Sequence, residues 1–98
     1  MDDLRVAAVQ FNHAPGDKTS NRSVIRSFVE EAEDRAVDVL SFPEMCVTGY
    51  WHLRNAERAE LEALAEPVPE GPTSDELLDL AAETGITIGA GLIERHPE

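Results

Sequence analysis

Short apolar runs alternate along this chain with longer segments of helical periodicity. The run Val6-Ala7-Ala8-Val9 lies in a predicted strand from Leu4 to Phe11, and a second strand spans Val39 to Phe42. Short continuous apolar runs are typical of parallel strands that are covered on both faces. The segment from Ile86 to Ile93 is predicted to form a third strand.

A helix is predicted between the first two strands, after a loop marked by Pro15 and Gly16. From about Asn21 to Ala36, apolar residues recur at the spacing that places them on one face of a helix. Those residues are Val24, Ile25, Phe28, Val29, Ala32 and Ala36. Ser20 or Asn21 is expected to cap the start of this helix, since both residue types accept hydrogen bonds from free backbone N–H groups.

Two further helices are predicted between the second and third strands. A short one runs from Asn55 to Leu64, and a later one opens with Thr73 and Glu76 at the spacing of a capping box. Gly85 is a good terminator for that later helix. The element order is therefore β-α-β-(α)-α-β. A strand–helix–strand order implies a right-handed crossover between parallel neighbours, so the predicted fold class is α/β.

Composition and charge narrow the possible partners and location. The chain has 98 residues, which suggests one domain or part of one, and its formal net charge is −12. This acidic balance argues against binding to nucleic acids or anionic membranes, which both require basic patches. Its single cysteine excludes an intrachain disulfide. The N-terminus, Met1 to Arg5, does not read as a signal peptide. We therefore expect a cytoplasmic protein.

Glu44 is the candidate catalytic residue because it directly follows the second predicted strand. In open α/β folds, binding and reactive groups gather at the carboxyl ends of strands. The alternative is a loop carboxylate that caps a helix or faces solvent. Tyr50 and Trp51, further along the same loop from Pro43 to Leu53, could form a wall of a substrate site or could be ordinary packing.

Other residues offer weaker candidates. Cys46 could pair with Glu44 if the segment is extended, since residues i and i+2 then share a face. A lone cysteine is more often a small buried apolar residue. The histidines at positions 13, 52 and 96 lack the spacing of metal ligands. His52, beside Trp51, could line a pocket or lie on the surface. We expect neither a metal nor a cofactor.

Four collinear segments resemble the N-terminal third of the nitrilase, or carbon–nitrogen hydrolase, superfamily. They are Arg5-Val6-Ala7-Ala8-Val9-Gln10, then Asn21 with its amphipathic helix, then Val37 to Glu44 followed by Thr48-Gly49-Tyr50, then Leu80 to Glu94. The Phe42-Pro43-Glu44 block with its Gly-Tyr tail is the most specific of the four.

The resemblance implies an α-β-β-α sandwich, of which residues 1–98 would form a partial, N-terminal portion. Members of the family commonly form dimers, so a homo-oligomer is expected. They cleave non-peptide carbon–nitrogen bonds in small nitrile, amide or carbamoyl substrates with a Glu, a Lys and a Cys. Glu44 matches the family glutamate. Lys18 precedes it and Cys46 follows too closely, so neither matches the family lysine or nucleophile.

Two functional hypotheses follow. In the first, the parent protein is a carbon–nitrogen hydrolase in which Glu44 is the general base and Tyr50 and Trp51 contact the substrate. This chain alone would then be inactive, because the other two catalytic residues are not in it. In the second hypothesis, the chain is a truncated or interaction module of the same fold without catalytic activity.

Overall fold

Three short strands form a parallel sheet in the order β1-β2-β3 in the computed structural model, which describes residues 3–96. Strand β1 spans Val6–Ala8, β2 spans Val39–Ser41 and β3 spans Thr87–Gly89. Met1, Asp2, Pro97 and Glu98, at the ends of the predicted domain, lie outside the described residues. The predicted α/β class is confirmed, and the arrangement is consistent with the N-terminal part of the predicted sandwich.

Four helical segments connect the strands. Helix α1 spans Lys18–Asp34, and a 3₁₀-helix covers Trp51–Asn55. Helix α2 spans Arg58–Leu64 and α3 spans Pro72–Thr84. The helix predicted from Asn55 to Leu64 is α2, which begins three residues later and ends where predicted; the preceding 3₁₀-helix was not predicted. None of the helices among residues 3–96 is both long and apolar enough to cross a lipid bilayer.

Helix α1 starts earlier than predicted because Asp17 is its cap. The Asp17 carboxylate accepts hydrogen bonds from the backbone N–H of Ser20 at 3.0 Å and from its hydroxyl at 2.9 Å. These hydrogen bonds from Ser20 hold the pKa of Asp17 below its ordinary value. Capping by Ser20 or Asn21 was thus the wrong prediction, and Asn21 lies inside the helix with its side chain buried.

The predicted capping box of the later helix is also wrong. Helix α3 has Gly71 as its N-cap and Pro72 as its first residue. The Thr73 side chain turns instead to Glu66, and Glu76 forms ion pairs with two arginines of α1. Gly85 does end this helix as predicted, with a φ of 74° that a glycine adopts without steric cost.

Only one face of the sheet is covered among the described residues. Ala7, Leu40 and Ile88 are paired across the three strands and belong to the apolar core with α1 and α3. On the other face, Val6 is 63% exposed and Ala8 is also exposed. The prediction that the first strand is covered on both faces therefore does not hold within residues 3–96. An open second face is what one half of a two-sheet sandwich presents.

A buried carboxylate ties the segment before α3 to the start of α1. Glu66 is 4% exposed and accepts hydrogen bonds from the backbone and hydroxyl of Thr73 at 2.8 and 2.6 Å. The Lys18 ammonium group donates to it at 3.1 Å. Burial favours the neutral acid, but these hydrogen bonds outweigh it, and the pKa of Glu66 lies below its ordinary value.

Replacing Glu66→Gln should lower the free energy of unfolding at pH 7 by about 2–3 kcal/mol, because a buried, hydrogen-bonded charge is lost. The pKa of Glu66 is lower in the folded than in the unfolded chain. Its stabilisation is therefore present above the unfolded value of about 4.3 and is lost as the pH falls through the folded value. Urea denaturation across pH 3–7 should show the deficit of the variant shrinking as the pH is lowered.

The matched control is Glu62→Gln, which removes the charge of a solvent-exposed side chain paired with Arg58. An ion pair this exposed contributes little to stability, so the control should unfold like the parent. Equal destabilisation by the two variants would show that the buried hydrogen bonds of Glu66 contribute no more to stability than an exposed ion pair.

Candidate active site

Glu44 begins a tight turn immediately beyond β2. Phe42 and Pro43 lead out of the strand, and residues 44–48 form the turn. The Glu44 side chain is exposed and makes no hydrogen bond or ion pair with any residue between positions 3 and 96. It does not cap a helix in this part of the chain. The carboxylate is therefore available to a ligand or to another segment of protein.

The turn has a strained backbone, and hydrogen bonds to one of its own carbonyl groups close it. Met45, next to Glu44, has a φ of 56°, which is uncommon for a residue other than glycine. The Met45 carbonyl accepts hydrogen bonds from the N–H groups of Thr48 at 3.3 Å and Gly49 at 2.8 Å. Such strained positions persist only where the surroundings fix them, and they cluster at functional sites.

Asn21 fixes the far side of the turn from inside α1. Its amide group donates to the carbonyls of Val47 at 2.8 Å and Ala14 at 2.9 Å, and its oxygen accepts from the Ala14 N–H at 2.8 Å. The loops after β1 and β2 are also joined directly, by a hydrogen bond from the Gly16 N–H to the Thr48 carbonyl at 2.8 Å. One buried amide side chain thus holds both loops.

Cys46 is fully buried, whereas Glu44 is exposed. Its sulfur accepts a hydrogen bond from the Gly91 N–H at 3.4 Å, and burial raises the pKa of the thiol. The pairing of Glu44 with Cys46 required an extended segment, whereas the structure has a turn there, so that hypothesis is wrong. Cys46 is instead a small buried residue, which is the more usual role of a lone cysteine.

Tyr50 and Trp51 lie at the surface beside this turn. They are 57% and 78% exposed, and Trp51 opens the 3₁₀-helix. The Arg54 guanidinium lies 4.5 Å from the centre of the Trp51 ring, a distance at which the cation is attracted to the aromatic face. Neither aromatic belongs to the buried core, so simple core packing does not explain them.

Two cavities of about 550 Å³ each share Tyr50, Trp51 and Arg54 in their walls. One is mainly apolar and includes Met45, the neighbour of Glu44. The other also has a mostly apolar surface, and its wall includes His13 and His52 together with amide side chains. Among the described residues, neither wall contains a carboxylate. The aromatic pair therefore stands between two depressions, one of which also carries imidazole and amide groups.

The structure brings together two histidines that are far apart in sequence. His13 and His52 both lie close to Gly49: a Cβ atom added there would be 3.3 Å from the His13 Cβ and 3.3 Å from the His52 Cε1. Burial lowers the pKa of His13, and its Nε2 atom has no hydrogen-bond partner among residues 3–96. His52 is half-buried and lines the same cavity as His13, whereas His96 is exposed elsewhere. Among the described residues, no group of three or more His, Cys, Asp or Glu side chains could hold a metal ion.

Sequence reasoning missed the roles of Asn21 and Gly91 at this site. The sequence patterns indicate a cap or a helix start at Asn21 and give no role to Gly91. A partial signal existed, because loops that follow neighbouring parallel strands meet at the same sheet edge. That rule predicts that these loops lie close together, but it does not identify which side chains join them.

One family profile and two curated proteins are similar in sequence to this chain. The profile of the family described as Carbon-nitrogen hydrolase matches residues 5–98. A protein of Pyrococcus abyssi (strain GE5 / Orsay) named Nitrilase is 34% identical over 93 residues, covering 94% of this chain and 34% of that protein. A protein named Nitrilase 2, from an unknown prokaryotic organism, is 32% identical over 89 residues, covering 83% of this chain and 28% of that protein. The chain spans about a third of the length of these relatives.

Gly49→Ala should destabilise the protein by about 2 kcal/mol, for two reasons. Its φ of 83° is unfavourable for alanine, and the added Cβ would lie 3.3 Å from atoms of both His13 and His52. Gly85→Ala is the matched control, since its φ of 74° is similar but no atom lies within 4 Å of the added Cβ. The control should cost only the backbone term of about 1 kcal/mol in urea denaturation. Equal costs would contradict tight packing at Gly49.

Proposed function

This chain belongs to the carbon–nitrogen hydrolase family, and we propose that the protein containing it hydrolyses non-peptide carbon–nitrogen bonds with Glu44 as its general base. The substrate class is a small nitrile, amide or carbamoyl compound. The proposal rests on one observation above the others: the family's glutamate position falls on an exposed carboxylate, without a partner among residues 3–96, in a strained turn beyond the carboxyl end of β2.

The proposed reaction needs a thiol nucleophile, a base and a stabilising cation. Glu44 takes the proton from the thiol, and the resulting thiolate attacks the nitrile or carbonyl carbon to form a covalent intermediate. With an amide, Glu44 then returns that proton to the nitrogen as the carbon–nitrogen bond breaks, which releases the amine and leaves a thioester. Glu44 next takes a proton from water, whose oxygen attacks the thioester; the carbon–sulfur bond breaks, the acid is released and the proton returns to the sulfur. A nitrile instead takes the proton on its nitrogen to give a thioimidate, and one additional water molecule is consumed before ammonia leaves. A lysine stabilises the negative charge that develops on the substrate. The family pattern assigns the cysteine and lysine to blocks that follow this segment.

The residues present here fit only the role of the base. Cys46 is buried with a raised pKa, and Lys18 is committed to the buried carboxylate of Glu66. Neither can serve as the nucleophile or the stabilising cation without dismantling the fold. We therefore infer that a complete catalytic set requires a lysine and a cysteine from residues beyond this segment.

The non-catalytic module is the second candidate, and the open sheet face weighs against it. A module that functions alone should not expose apolar strand residues, yet Val6 is 63% exposed and the neighbouring Leu4 is 60% exposed. Large exposed apolar surface commonly marks a contact with another protein layer. This face supports a larger domain in which a second layer covers the sheet.

Glu44→Gln in the full-length gene product should lower kcat by at least about 100-fold, because glutamine cannot accept the thiol proton. The variant should remain folded, since the Glu44 side chain makes no contact on which the described structure depends. Steady-state kinetics with nitrile, amide and carbamoyl substrates, beside circular dichroism, would measure both effects.

Glu70→Gln is a suitable control, because Glu70 is also an exposed loop carboxylate. It should leave kcat unchanged. Near-normal turnover by the Glu44 variant would reject Glu44 as the base. A gene sequence without a lysine and a cysteine block after Glu98 would reject the active hydrolase altogether.

We further propose that Tyr50 and Trp51 contact the substrate through the apolar cavity whose wall includes Met45, the residue after Glu44. That cavity has a volume of about 550 Å³ and a wall that includes Met45, Leu61 and Ile93. Its apolar lining suits an alkyl or aryl substituent on the nitrile or amide. The large exposed area of Trp51 is explained if a ligand covers it during turnover.

Trp51→Ala should raise KM for a phenyl-substituted nitrile or amide by about tenfold, the equivalent of about 1.4 kcal/mol of lost contact. The KM for acetonitrile or acetamide should change little, because a methyl group is too small to fill the cavity. Trp51→Phe is the conservative control and should retain most of the affinity. An equal rise in KM for large and small substrates would contradict direct contact with Trp51.

A further inference from the structure

We propose that Gly91, together with the sulfur of Cys46, is a positioning element that sets the location of the Glu44 carboxylate. This inference rests on the proposed function, because it concerns how the catalytic base is held. Gly91 follows β3, and Glu44 follows the neighbouring strand β2, so the two segments leave the sheet side by side.

The contact between the two segments is close because Gly91 has no side chain. A Cβ atom at Gly91 would lie 2.5 Å from the backbone nitrogen of Met45 and 3.4 Å from the carbonyl carbon of Glu44. Real Cβ atoms essentially never approach other atoms within 3.0 Å. The Glu44–Met45 peptide therefore packs directly against the backbone of Gly91, and any other residue there must displace it.

Hydrogen bonds on both sides of Gly91 fix the same contact. The Gly91 N–H donates to the Cys46 sulfur at 3.4 Å, and the Gly91 carbonyl accepts from the Val47 N–H at 3.2 Å. Gly91, in the segment after β3, is thus hydrogen-bonded to Cys46 and Val47, the two residues that follow the Glu44–Met45 peptide. Together with the left-handed backbone of Met45, these contacts leave the turn little freedom.

A side chain at position 91 would displace Glu44, the proposed base, without removing any group that takes part in the reaction. Relieving the contact with Met45 to an ordinary separation needs a displacement of about 1 Å, which is enough to cost about 100-fold in a reaction that depends on alignment. Substrate binding by the aromatic residues should be affected less. The expected signature is a loss in kcat with little change in KM.

The test compares Gly91→Ala with Gly89→Ala in the full-length protein. A Cβ at Gly89 would meet no atom closer than 4.0 Å, so that variant adds the same methyl group in the same segment without the collision. We expect Gly91→Ala to lower kcat about 100-fold per folded molecule, with KM within about threefold of the parent. Gly89→Ala should retain nearly normal kcat. A folded Gly91→Ala enzyme with parental kcat would overturn the inference.

Cys46→Ala is the second variant, and it tests the positioning role independently if Gly91→Ala does not fold. It removes the acceptor of the Gly91 N–H but adds no bulk, and it should lower kcat by about tenfold at unchanged KM. Cys46→Ser, which restores an acceptor, should recover part of that loss. A Cys46→Ala enzyme with normal kcat would count against the inference.

Glu44→Gln measured in the same series separates the two proposals. If that variant keeps full turnover, the proposed function fails, whatever Gly91 does. If it is inactive while Gly91→Ala and Cys46→Ala both keep parental kcat, the proposed function stands and the positioning role is rejected.

Discussion

Close contact between two backbones is the constraint on which the site depends. The Glu44–Met45 peptide lies against Gly91, and neither segment can move away without breaking hydrogen bonds to Cys46 or Val47. Because β2 and β3 are paired in register up to Ser41 and Gly89, the sheet determines where both segments begin. The backbone of Glu44 is thus held by interactions of the neighbouring residues, while its side chain makes no hydrogen bond or ion pair within residues 3–96.

Two buried polar side chains complete this arrangement by joining segments that the sheet does not connect. Asn21 links α1 to the loops after β1 and β2, and Glu66 links α1 to the start of α3 through Lys18 and Thr73. A buried polar group that loses its partner costs more than an apolar contact of the same size. Each of these residues therefore specifies one arrangement of its loops, and helix α1 is the element common to both.

The strands, the helices and the candidate base follow from local patterns, whereas the contacts between them do not. Apolar runs located all three strands, and the Phe42-Pro43-Glu44 block located the candidate. The strand lengths were overestimated, because apolar residues such as Leu92 pack in the core beyond the end of the paired ladder. The partner of Asn21 lies 26 residues away and that of Cys46 lies 45 residues away. No local pattern encodes such pairs, so the cap predicted at Asn21 from its residue type is wrong because its side chain binds distant backbone groups.

The open face of the sheet has a consequence for the protein as it is being made. Helices α1 and α3 cover one face of the sheet, and their core residues all belong to this segment. This helix–sheet layer can therefore form early in folding. Val6 and Leu4 are exposed in the part of the chain that the structure describes, and exposed apolar residues on a sheet are where partly folded chains associate. A net charge of −12 opposes that association through mutual repulsion. We therefore expect the acidic surface to limit association of chains through this face of the sheet.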